Sequence, residues 1–390
     1  MSDNFRKKKI IIVTHVYATG PAQDLEKYLT NNGVKKLLFI GHPLFYQEHQ
    51  NGSGYKVYKE GRLVKERYSK NRKFPLIFSY LKDLFFNIYW IFCTKERWDL
   101  FVGSDNLNAF CGVWLKRCGL VKKVVYYVID YVPQRFESDI LNGVYHWVDK
   151  FCVKNCDETW NLSPRMAEAR EKYKGLKRKI YNMQKVVPIG IWYNRVPRKD
   201  FSEIEKHTLV FMGHILEKQG VQYVLDAMPE IVKQIPDFKF LIIGGGNYSS
   251  ILREKIKNLN IEKYVRFTGF IENHKEIEEM LSGAAVAVAL YEREEPKTNF
   301  TYFADPAKLK CYLAAGLPIL LTDVPHNARE IQRRECGLII EPDLRSITNA
   351  VIFLMEDEEK LKRFRENSVS YAKQFDWNLI FKKNLEKVLL

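Results

Sequence analysis

The chain has 390 residues, of which 46% are hydrophobic and 28% are charged, as expected of a soluble globular protein with two or three domains. Its seven cysteines are odd in number and lie in apolar contexts, which favours buried thiols in a cytoplasmic protein over a disulfide framework. Cys152 and Cys156 have helical spacing, but no second pair matches them, so a structural zinc site is disfavoured.

The formal net charge of +15 belongs to one half of the chain. Residues 1–200 contain 36 Lys and Arg against 19 Asp and Glu, a net +17, whereas residues 201–390 contain 26 against 28, a net −2. A basic half of this kind attracts nucleic acid, an anionic membrane surface or an acidic acceptor substrate. Nucleic acid is disfavoured because the sequence has no recognised binding module.

The first half of the chain alternates predicted strands with predicted helices. Its N-terminus is basic and then apolar, but the apolar run stops at Thr14-His15, too early for a secretory signal, and predicts a buried strand instead. Continuous apolar runs predict strands that are buried on both faces, as in a doubly wound parallel sheet. Strands are predicted at 9–16, 36–41, 99–104, 123–130 and 158–163, and helices start near Gly20, Phe74, Leu107, Ser138 and Pro164.

Residues 74–93 form an aromatic segment inside the basic half. The Lys82-Asp83 pair interrupts it, so the segment is too short and too charged to span a bilayer. Two interpretations stay open: an interfacial amphipathic helix that contacts a membrane surface, and a core helix with a few exposed aromatic residues. Its apolar residues at helical spacing are Ile77, Leu81, Leu84, Phe85, Ile88 and Phe92, and the basic residues before it are Arg67, Lys70, Arg72 and Lys73.

The second half repeats the alternation after a polar segment, residues 192–207, which is predicted to be a linker. It would join a first domain, residues 1–191, to a second, residues 208–375, and residues 376–390 predict an amphipathic C-terminal helix. Two such domains are expected to bind ligands in a cleft at the carboxyl ends of their sheets. Strands of the second domain are predicted at 208–213, 238–246, 264–270, 285–291, 316–323 and 336–342.

The stretch from Asp305 to Asp323 carries the most chemical information. Asp305-Pro306 predicts a helix start with a capping carboxylate, and Gly316 predicts its end. The free N–H groups of the first turn, with Lys308 beside them, suit a diphosphate. The alternative interpretation is one more helix–strand unit of an α/β domain.

This stretch resembles the P-x-K-x-x-E-Y-x-A-x-G-x-P block of retaining GT-B glycosyltransferases in the glycogen-synthase-like family 4. The resemblance covers most of residues 186–342 and, loosely, residues 10–185. It implies an α/β GT-B fold, in which two doubly wound Rossmann-like domains bind the acceptor and the nucleotide sugar and the C-terminal helix crosses back to the first domain. Further similar blocks follow in the family's order at 186–191, 210–228, 239–246 and 265–271.

The resemblance also implies site residues. It places His214 and Lys218 at the family's basic pair, which neutralises the leaving diphosphate; an exposed loop lysine and a capping histidine are the alternative. Asp130, with Arg135 near it, is the implied carboxylate on the acceptor side, and a buried capping aspartate is its alternative. The implied catalytic residues are Asp130 and Lys218, and the implied donor-binding residues are Gly20, His214, Lys218, Gly246, Phe270, Ile271, Ala304, Asp305, Lys308 and Cys311.

Two positions depart from the family, because Phe303 and Cys311 stand where it has acidic residues. Neither side chain can replace a carboxylate as acceptor of sugar hydroxyls. Asp305 or one of three glutamates would have to supply the missing group. Those glutamates are Glu292, Glu294 and Glu295.

The implied activity is retaining hexosyl transfer from a nucleotide-diphosphate sugar to a glycan or lipid-linked acceptor, in surface polysaccharide or glycolipid assembly. No metal or other cofactor is expected, because the sequence has no D-x-D at the right place and no His/Cys cluster, and lysines can neutralise the diphosphate. The expected location is cytoplasmic, at the inner face of a membrane. Two alternatives stay open: a non-catalytic sugar-nucleotide-binding protein and a nucleotide-sugar epimerase. NAD binding is disfavoured, since Gly244–Gly246 lacks the G-x-G-x-x-G spacing.

Overall fold

The computed structural model describes residues 5–15, 20–43, 51–70, 74–177, 179, 182–293 and 297–389. The chain divides into two compact units, the first made of residues 1–188 and 377–390 and the second of residues 189–376. Within the described residues, no helix combines the length and the apolar character needed to cross a membrane.

The first unit contains eight of the described strands and six of the described α-helices. The strands are β1 (Lys9–Thr14), β2 (Lys36–Gly41), β3 (Asn51–Lys59), β4 (Arg62–Lys70), β5 (Trp98–Gly103), β6 (Val121–Val128), β7 (Glu158–Asn161) and β8 (Gln184–Val186). The helices are α1 (Pro21–Asn31), α2 (Leu76–Cys93), α3 (Asn106–Arg117), α4 (Asp139–Asn155), α5 (Pro164–Lys174) and, from the end of the chain, α14 (Trp377–Leu389).

The sheet of the first unit has the order β4-β3-β2-β1-β5-β6-β7-β8. β1, β2 and β5 to β8 run parallel, and the runs of β1, β2, β5, β6 and β7 are largely buried, as the sequence predicts, whereas the short β8 is partly exposed and has no predicted counterpart. The chain winds outward from β1 in one direction and then returns to β5 to wind in the other. The switch point of this sheet therefore lies between the carboxyl ends of β1 and β5.

The hairpin of β3 and β4 has no counterpart among the predicted strands. Both of its strands pair antiparallel, and Glu60 and Gly61 form its turn with φ of 50° and 79°. Two residues with positive φ match the right-handed twist of the flanking strands. Most of β4 is exposed, so it lacks the apolar run that marks the buried strands.

The second unit contains six of the described strands and eight of the described α-helices. The strands are β9 (Thr208–Met212), β10 (Lys239–Ile243), β11 (Val265–Gly269), β12 (Val286–Ala289), β13 (Ile319–Leu321) and β14 (Gly337–Ile339). The helices are α6 (Val221–Gln234), α7 (Ser249–Asn258), α8 (His274–Gly283), α9 (Phe300–Phe303), α10 (Ala307–Ala314), α11 (Ala328–Arg333), α12 (Leu344–Met355) and α13 (Glu358–Ala372).

The second sheet is parallel, with the order β11-β10-β9-β12-β13-β14 and its switch point between β9 and β12. Alternate residues of β9 enter the two cores on opposite faces of the sheet: Phe211 packs in one and Val210 in the other. This arrangement explains the continuous apolar run and confirms the doubly wound prediction.

One segment differs from the predicted domain boundaries, whereas the C-terminal helix groups with the first unit, as the resemblance implied. Residues 192–207, predicted to be a linker, lie against the second unit, where Val196 and Ile204 are buried and Arg195 Nε is 3.0 Å from Glu278 Oε1. The segment was predicted to be a linker because most of its residues are polar and only a few of its side chains enter the core. Helix α14 belongs to the first unit, in which the rings of Phe381 and Tyr28 are 5.5 Å apart.

Candidate active site

Lys308 lies at the switch point of the second sheet. Its Nζ is 4.5 Å from the ring centroid of Phe211, which belongs to β9, and 4.9 Å from that of Tyr291, which follows β12. Parallel α/β sheets bind their ligands outside the carboxyl ends of the strands at this point. The predicted donor-binding lysine therefore occupies the edge of the sheet where a ligand is expected.

Helix α10 is held at this edge by a tyrosine. The backbone N–H of Met212 donates to the Tyr312 hydroxyl at 2.7 Å, and the hydroxyl donates to the Met212 carbonyl at 3.3 Å. Tyr312 follows Lys308 by four residues, so the two side chains share a helix face. At the adjacent Gly213, a Cβ would lie 3.4 Å from Lys308 Nζ, and the φ of 148° suits glycine alone.

Lys308 has no carboxylate partner among the described residues. Its Nζ donates to Gln219 Oε1 at 2.5 Å, and no described ion pair includes it. Burial alone lowers the pKa of Lys308 to about 7, because the charged ammonium loses hydration that no anion replaces. An anion bound beside Nζ would restore the charge.

The loops after three neighbouring strands stack on one another at the same edge. The N–H of Gly213 donates to the carbonyl of Ile243 at 2.9 Å, and the N–H of Gly244 donates to that of Gly269 at 3.0 Å. This contact brings together the ends of β9, β10 and β11, and with them the segments in which the sequence analysis placed half of the donor-binding residues.

The predicted basic pair lies in the loop after β9. His214 and Lys218 are both exposed, and Lys218 belongs to a short 3-10 helix, Glu217–Gln219. Lys218 directly precedes Gln219, whose side chain accepts the hydrogen bond from Lys308. The two predicted residues and Lys308 belong to one loop–helix constellation, in which only Lys308 is partly buried.

Four further predicted positions surround this edge. Gly246 allows two loops to approach, since a Cβ there would lie 2.2 Å from the carbonyl oxygen of Ile215. Phe270 is 82% exposed directly after β11, followed by the partly buried Ile271. Ala304 is partly buried at the end of α9.

Asp305 does not cap helix α10, contrary to the prediction. The helix begins at Ala307, and the buried Asp305 carboxylate accepts from the N–H of Ile189 at 2.9 Å and contacts Lys310 Nζ and, at 3.1 Å, His326 Nε2. Burial raises the pKa of Asp305, but the charge of Lys310 and the hydrogen bond from His326 outweigh it and hold the pKa below its usual value. The carboxylate anchors the segment after β8 instead of facing the first turn of α10.

The positions of the missing acidic pair remain without a carboxylate. Phe303 is buried and Cys311 is partly buried on α10. Glu292 lies closest along the chain to the switch point: its N–H is 3.4 Å from the carbonyl of Lys218, and its Oε1 accepts from the Tyr223 hydroxyl at 3.4 Å. Glu294 and Glu295 lie outside the described residues.

The switch point of the first sheet carries a charged cluster that the sequence analysis missed. His15 follows β1, and its Nδ1 is 2.6 Å from Oδ2 of Asp105, which follows β5 and caps α3 through the N–H of Asn108. His15 Nε2 is 3.4 Å from Oδ2 of Asp83. Burial would lower the pKa of His15, but Asp105 and Asp83 together raise it to about 10. The signal in the sequence was a charged or titratable residue within two positions of the end of each of the two strands.

Helix α2 contributes the second carboxylate of this cluster. Asp83 Oδ1 is 3.2 Å from His42 Nδ1 and accepts from Ser53 Oγ at 3.0 Å, while His42 Nε2 is 2.9 Å from Asn87 Oδ1. Burial opposes the charge of Asp83, but hydrogen bonds from His15 and His42 hold its pKa far below its usual value. The charged interruption of the aromatic segment is therefore the anchor of α2.

The predicted acceptor-side residues lie in the same unit. Asp130 follows β6, its side chain is half exposed, and its Oδ2 is 3.0 Å from Arg135 Nη1. Asp130, Arg135 and His15 line one cavity of about 590 Å³. Gly20 is an extended residue at the start of α1, whereas Thr19 before it lies outside the described residues.

Similarity to known proteins agrees with this architecture. Residues 195–370 match the family described as Glycosyl transferases group 1. A phosphatidyl-myo-inositol mannosyltransferase of Mycobacterium tuberculosis is 22% identical over 179 residues, which are 44% of either protein. The match thus spans less than half the length of that relative.

Two solved structures share the fold over nearly the whole chain. Sucrose-phosphate synthase from Thermosynechococcus elongatus has a TM-score of 0.70 at 16% identity and 98% coverage of both chains. Anabaena Alr3699/HepE in complex with UDP has a TM-score of 0.68 at 13% identity, with 97% of this chain and 99% of that chain covered. Residues 195–370 are thus similar to the group 1 glycosyltransferases, and the fold over nearly the whole chain is the GT-B fold.

Proposed function

We propose that the chain transfers a sugar, with retention of configuration, from a nucleotide-diphosphate donor to a glycan or lipid-linked acceptor in glycolipid or surface polysaccharide assembly. The observation that carries this proposal is Lys308, a partly buried cation at a switch point without a carboxylate partner among the described residues. A diphosphate supplies the missing negative charge. The structural neighbour from Anabaena was solved with UDP, which supports a nucleotide ligand.

The proposed chemistry needs orientation and charge stabilisation more than a protein nucleophile. The acceptor oxygen forms a bond to the anomeric carbon on the face from which the diphosphate leaves, and the hydroxyl proton passes to the departing phosphate oxygen. Lys308 and Lys218 would stabilise the charge that develops on the diphosphate. On this proposal, lysines do the neutralising that a metal ion does in other transferases.

The proposal extends to a peripheral contact with an anionic membrane. Helix α2 is inverted relative to an ordinary surface helix: Asp83 and Asn87 are buried, whereas Ile77, Phe85 and Phe92 are each more than half exposed. A helix with an exposed apolar stripe in a basic half suits the interfacial interpretation. Lys70 ends β4 next to it, while Arg72 and Lys73 lie outside the described residues.

The test of donor binding compares two lysines of the second unit. Nucleoside diphosphates are first screened by thermal shift, and the one that raises the melting temperature is titrated by calorimetry. Lys308→Met should then lower the rate of sugar transfer or of donor hydrolysis, by an amount that corresponds to a loss of about 2–4 kcal/mol of transition-state stabilisation. Lys257→Met, at an exposed position of α7, is the matched control and should change neither quantity.

Proton linkage provides an independent readout. The pKa of about 7 means that Lys308 is mostly neutral at pH 8, so diphosphate binding should take up a proton there. Calorimetry in buffers of different ionisation enthalpy measures this uptake, which Lys308→Met should abolish. Unchanged turnover in Lys308→Met would contradict the assignment, and binding without turnover in the wild type would favour the non-catalytic alternative that Phe303 and Cys311 motivate.

A further inference from the structure

We propose that the cavity of the first unit binds the apolar chain of a single-chain lipid acceptor whose head group is neutral and hydroxylated. The cavity volume of about 590 Å³ falls within the range of about 300–1,000 Å³ that is typical of ligand sites. The inference rests on the proposed function for the role of the lipid as acceptor, but the binding step itself needs no donor.

The walls of the cavity are apolar and come from two helices. Leu81 and Leu84 of α2 and Val144 and Val148 of α4 line it. Leu81 is 57% exposed and Val144 is 56% exposed, although both line the cavity, so the cavity opens to the surface between these helices. An alkyl or prenyl chain would bury these side chains and remove apolar surface from water.

The apolar surface continues outside the opening. Phe85, Tyr89 and Phe92 of α2 and Ile140 and Trp147 of α4 are exposed beyond the lining. Monomeric proteins rarely expose a patch of this kind unless it has a partner. A lipid chain that leaves a bilayer along this surface would reach the cavity without crossing water, which makes a lipid the occupant favoured over a soluble apolar metabolite.

The charged residues in the cavity wall favour a neutral, hydroxylated head group over a phosphate. His15 is paired with Asp105 and Asp83, and Arg135 is paired with Asp130, so each of these cations already has a carboxylate partner. A phosphate head would have to compete with those carboxylates. Sugar hydroxyls instead donate to carboxylate oxygens, which accept hydrogen bonds only.

An unpartnered polar atom lies in the same wall. Ser104 is 6% exposed, lines the cavity, and its Oγ has no hydrogen-bond partner among the described residues. A buried hydroxyl left in this way costs free energy unless a ligand or water completes its hydrogen bond. Because Ser104 follows β5 at the switch point, we place the head group there and the chain between α2 and α4.

The experiment titrates the full-length protein with n-dodecyl β-glucoside below its critical micelle concentration, by calorimetry and without nucleotide. Glucose and dodecyl phosphate are the comparison ligands. Val144→Trp, which fills the opening, should weaken dodecyl glucoside binding by about tenfold or more, the scale of one lost buried side-chain contact. Leu379→Trp, at an exposed position of α14 in the same unit and outside the lining, is the matched control and should bind like the wild type.

Ser104→Ala should reduce the ratio of the affinity for dodecyl glucoside to that for dodecyl phosphate without abolishing binding of the alkyl chain. This variant tests the proposal if Val144→Trp does not fold. The proposal is overturned if the wild type binds no dodecyl glucoside, or if Val144→Trp binds it as tightly as Leu379→Trp does. Tighter binding of dodecyl phosphate overturns the neutral head group. Intact lipid binding without any glycosyl transfer would refute the proposed function instead, so the two failures are distinguishable.

Discussion

The two sheets place opposite electrostatics at the same topological position. At the first switch point, between β1 and β5, His15 is held between Asp105 and Asp83. At the second, between β9 and β12, Lys308 meets two aromatic rings and an amide, and no carboxylate among the described residues. The first cation has carboxylate partners within the protein, whereas the second has none among the described residues, which suits the proposed anionic ligand.

This difference separates two kinds of ligand. A compensated cluster has no net attraction for a phosphate, and its carboxylates suit hydroxyl groups. An uncompensated lysine beside a glycine loop favours an anion. We therefore propose the first unit as the site of the hydroxylated acceptor and the second as the site of the diphosphate, on grounds of charge.

The same contrast recurs within helix α10. Lys308 and Lys310 are two residues apart, but Lys310 is fully buried and paired with Asp305, whereas the only side-chain hydrogen bond of Lys308 among the described residues is to the Gln219 amide. We expect Lys308 to act in ligand binding and Lys310 to stabilise the fold. Substitutions at the two positions should separate these roles.

The largest expected effect is the loss of the buried pair. Lys310→Met leaves the Asp305 carboxylate buried without its lysine and should destabilise the second unit by about 3–5 kcal/mol, measured by urea denaturation. Lys308→Met replaces an uncompensated cation with an apolar side chain, so it should not destabilise this unit. The double variant Asp305→Asn/Lys310→Met should recover part of the loss. Equal destabilisation by the two single lysine variants would contradict the comparison.

The next effect is a pair of opposite pH dependences. Folded His15 keeps its proton up to a pKa of about 10, whereas the unfolded chain loses it near 6.5, so this contribution to stability is complete below pH 6.5 and is lost as the pH rises to about 10. Folded Lys308 loses its proton near pH 7, and the unfolded chain near 10.5, so its unfavourable contribution fades over that interval.

Between pH 7 and 10 the two contributions have opposite slopes, each of up to about 1.4 kcal/mol per pH unit. Urea denaturation of the wild type, His15→Gln and Lys308→Met at several pH values isolates each contribution as a difference. His15→Gln removes the contribution that falls with pH, so its stability should change more upward with rising pH than that of the wild type. Lys308→Met removes the contribution that rises with pH, so its stability should change more downward than that of the wild type. The same pH dependence in all three proteins would refute both assignments.

The smallest effect concerns the exposed stripe of α2. Phe85→Ser and Phe92→Ser should each weaken binding to anionic lipid vesicles by about 1 kcal/mol, a part of the free energy of burying a Phe side chain. The attraction should also decrease as salt shortens the Debye length. Sedimentation with vesicles measures both. Phe353→Ser, at an exposed position of the second unit, is the matched control, and equal losses in all three variants would remove the stripe from the interface.

Much of the architecture follows from the sequence alone. The runs Leu37–Ile40 and Leu209–Met212 are apolar on both sheet faces, and the strands that contain them lie within a residue of the predicted bounds. Lys308 likewise lies where its family block predicts. Such features can be predicted from local patterns, because a continuous apolar run indicates a strand that is buried on both faces and a loop followed by a helix is formed by residues adjacent in the chain.

The tertiary structure alone decided the rest. His15 and Asp105 are 90 residues apart in the chain, and His15 and Asn108 are 93 residues apart. Asp305 contacts Ile189, which precedes it by 116 residues. No local pattern shows that a histidine after one strand meets an aspartate after another, or that Asp305 leaves the helix it was expected to cap. The sequence determined which segments are buried strands and helices. The pairing of buried charges was decided by the order of strands in each sheet, because electrostatic compensation acts between groups that only the fold brings within a few ångströms.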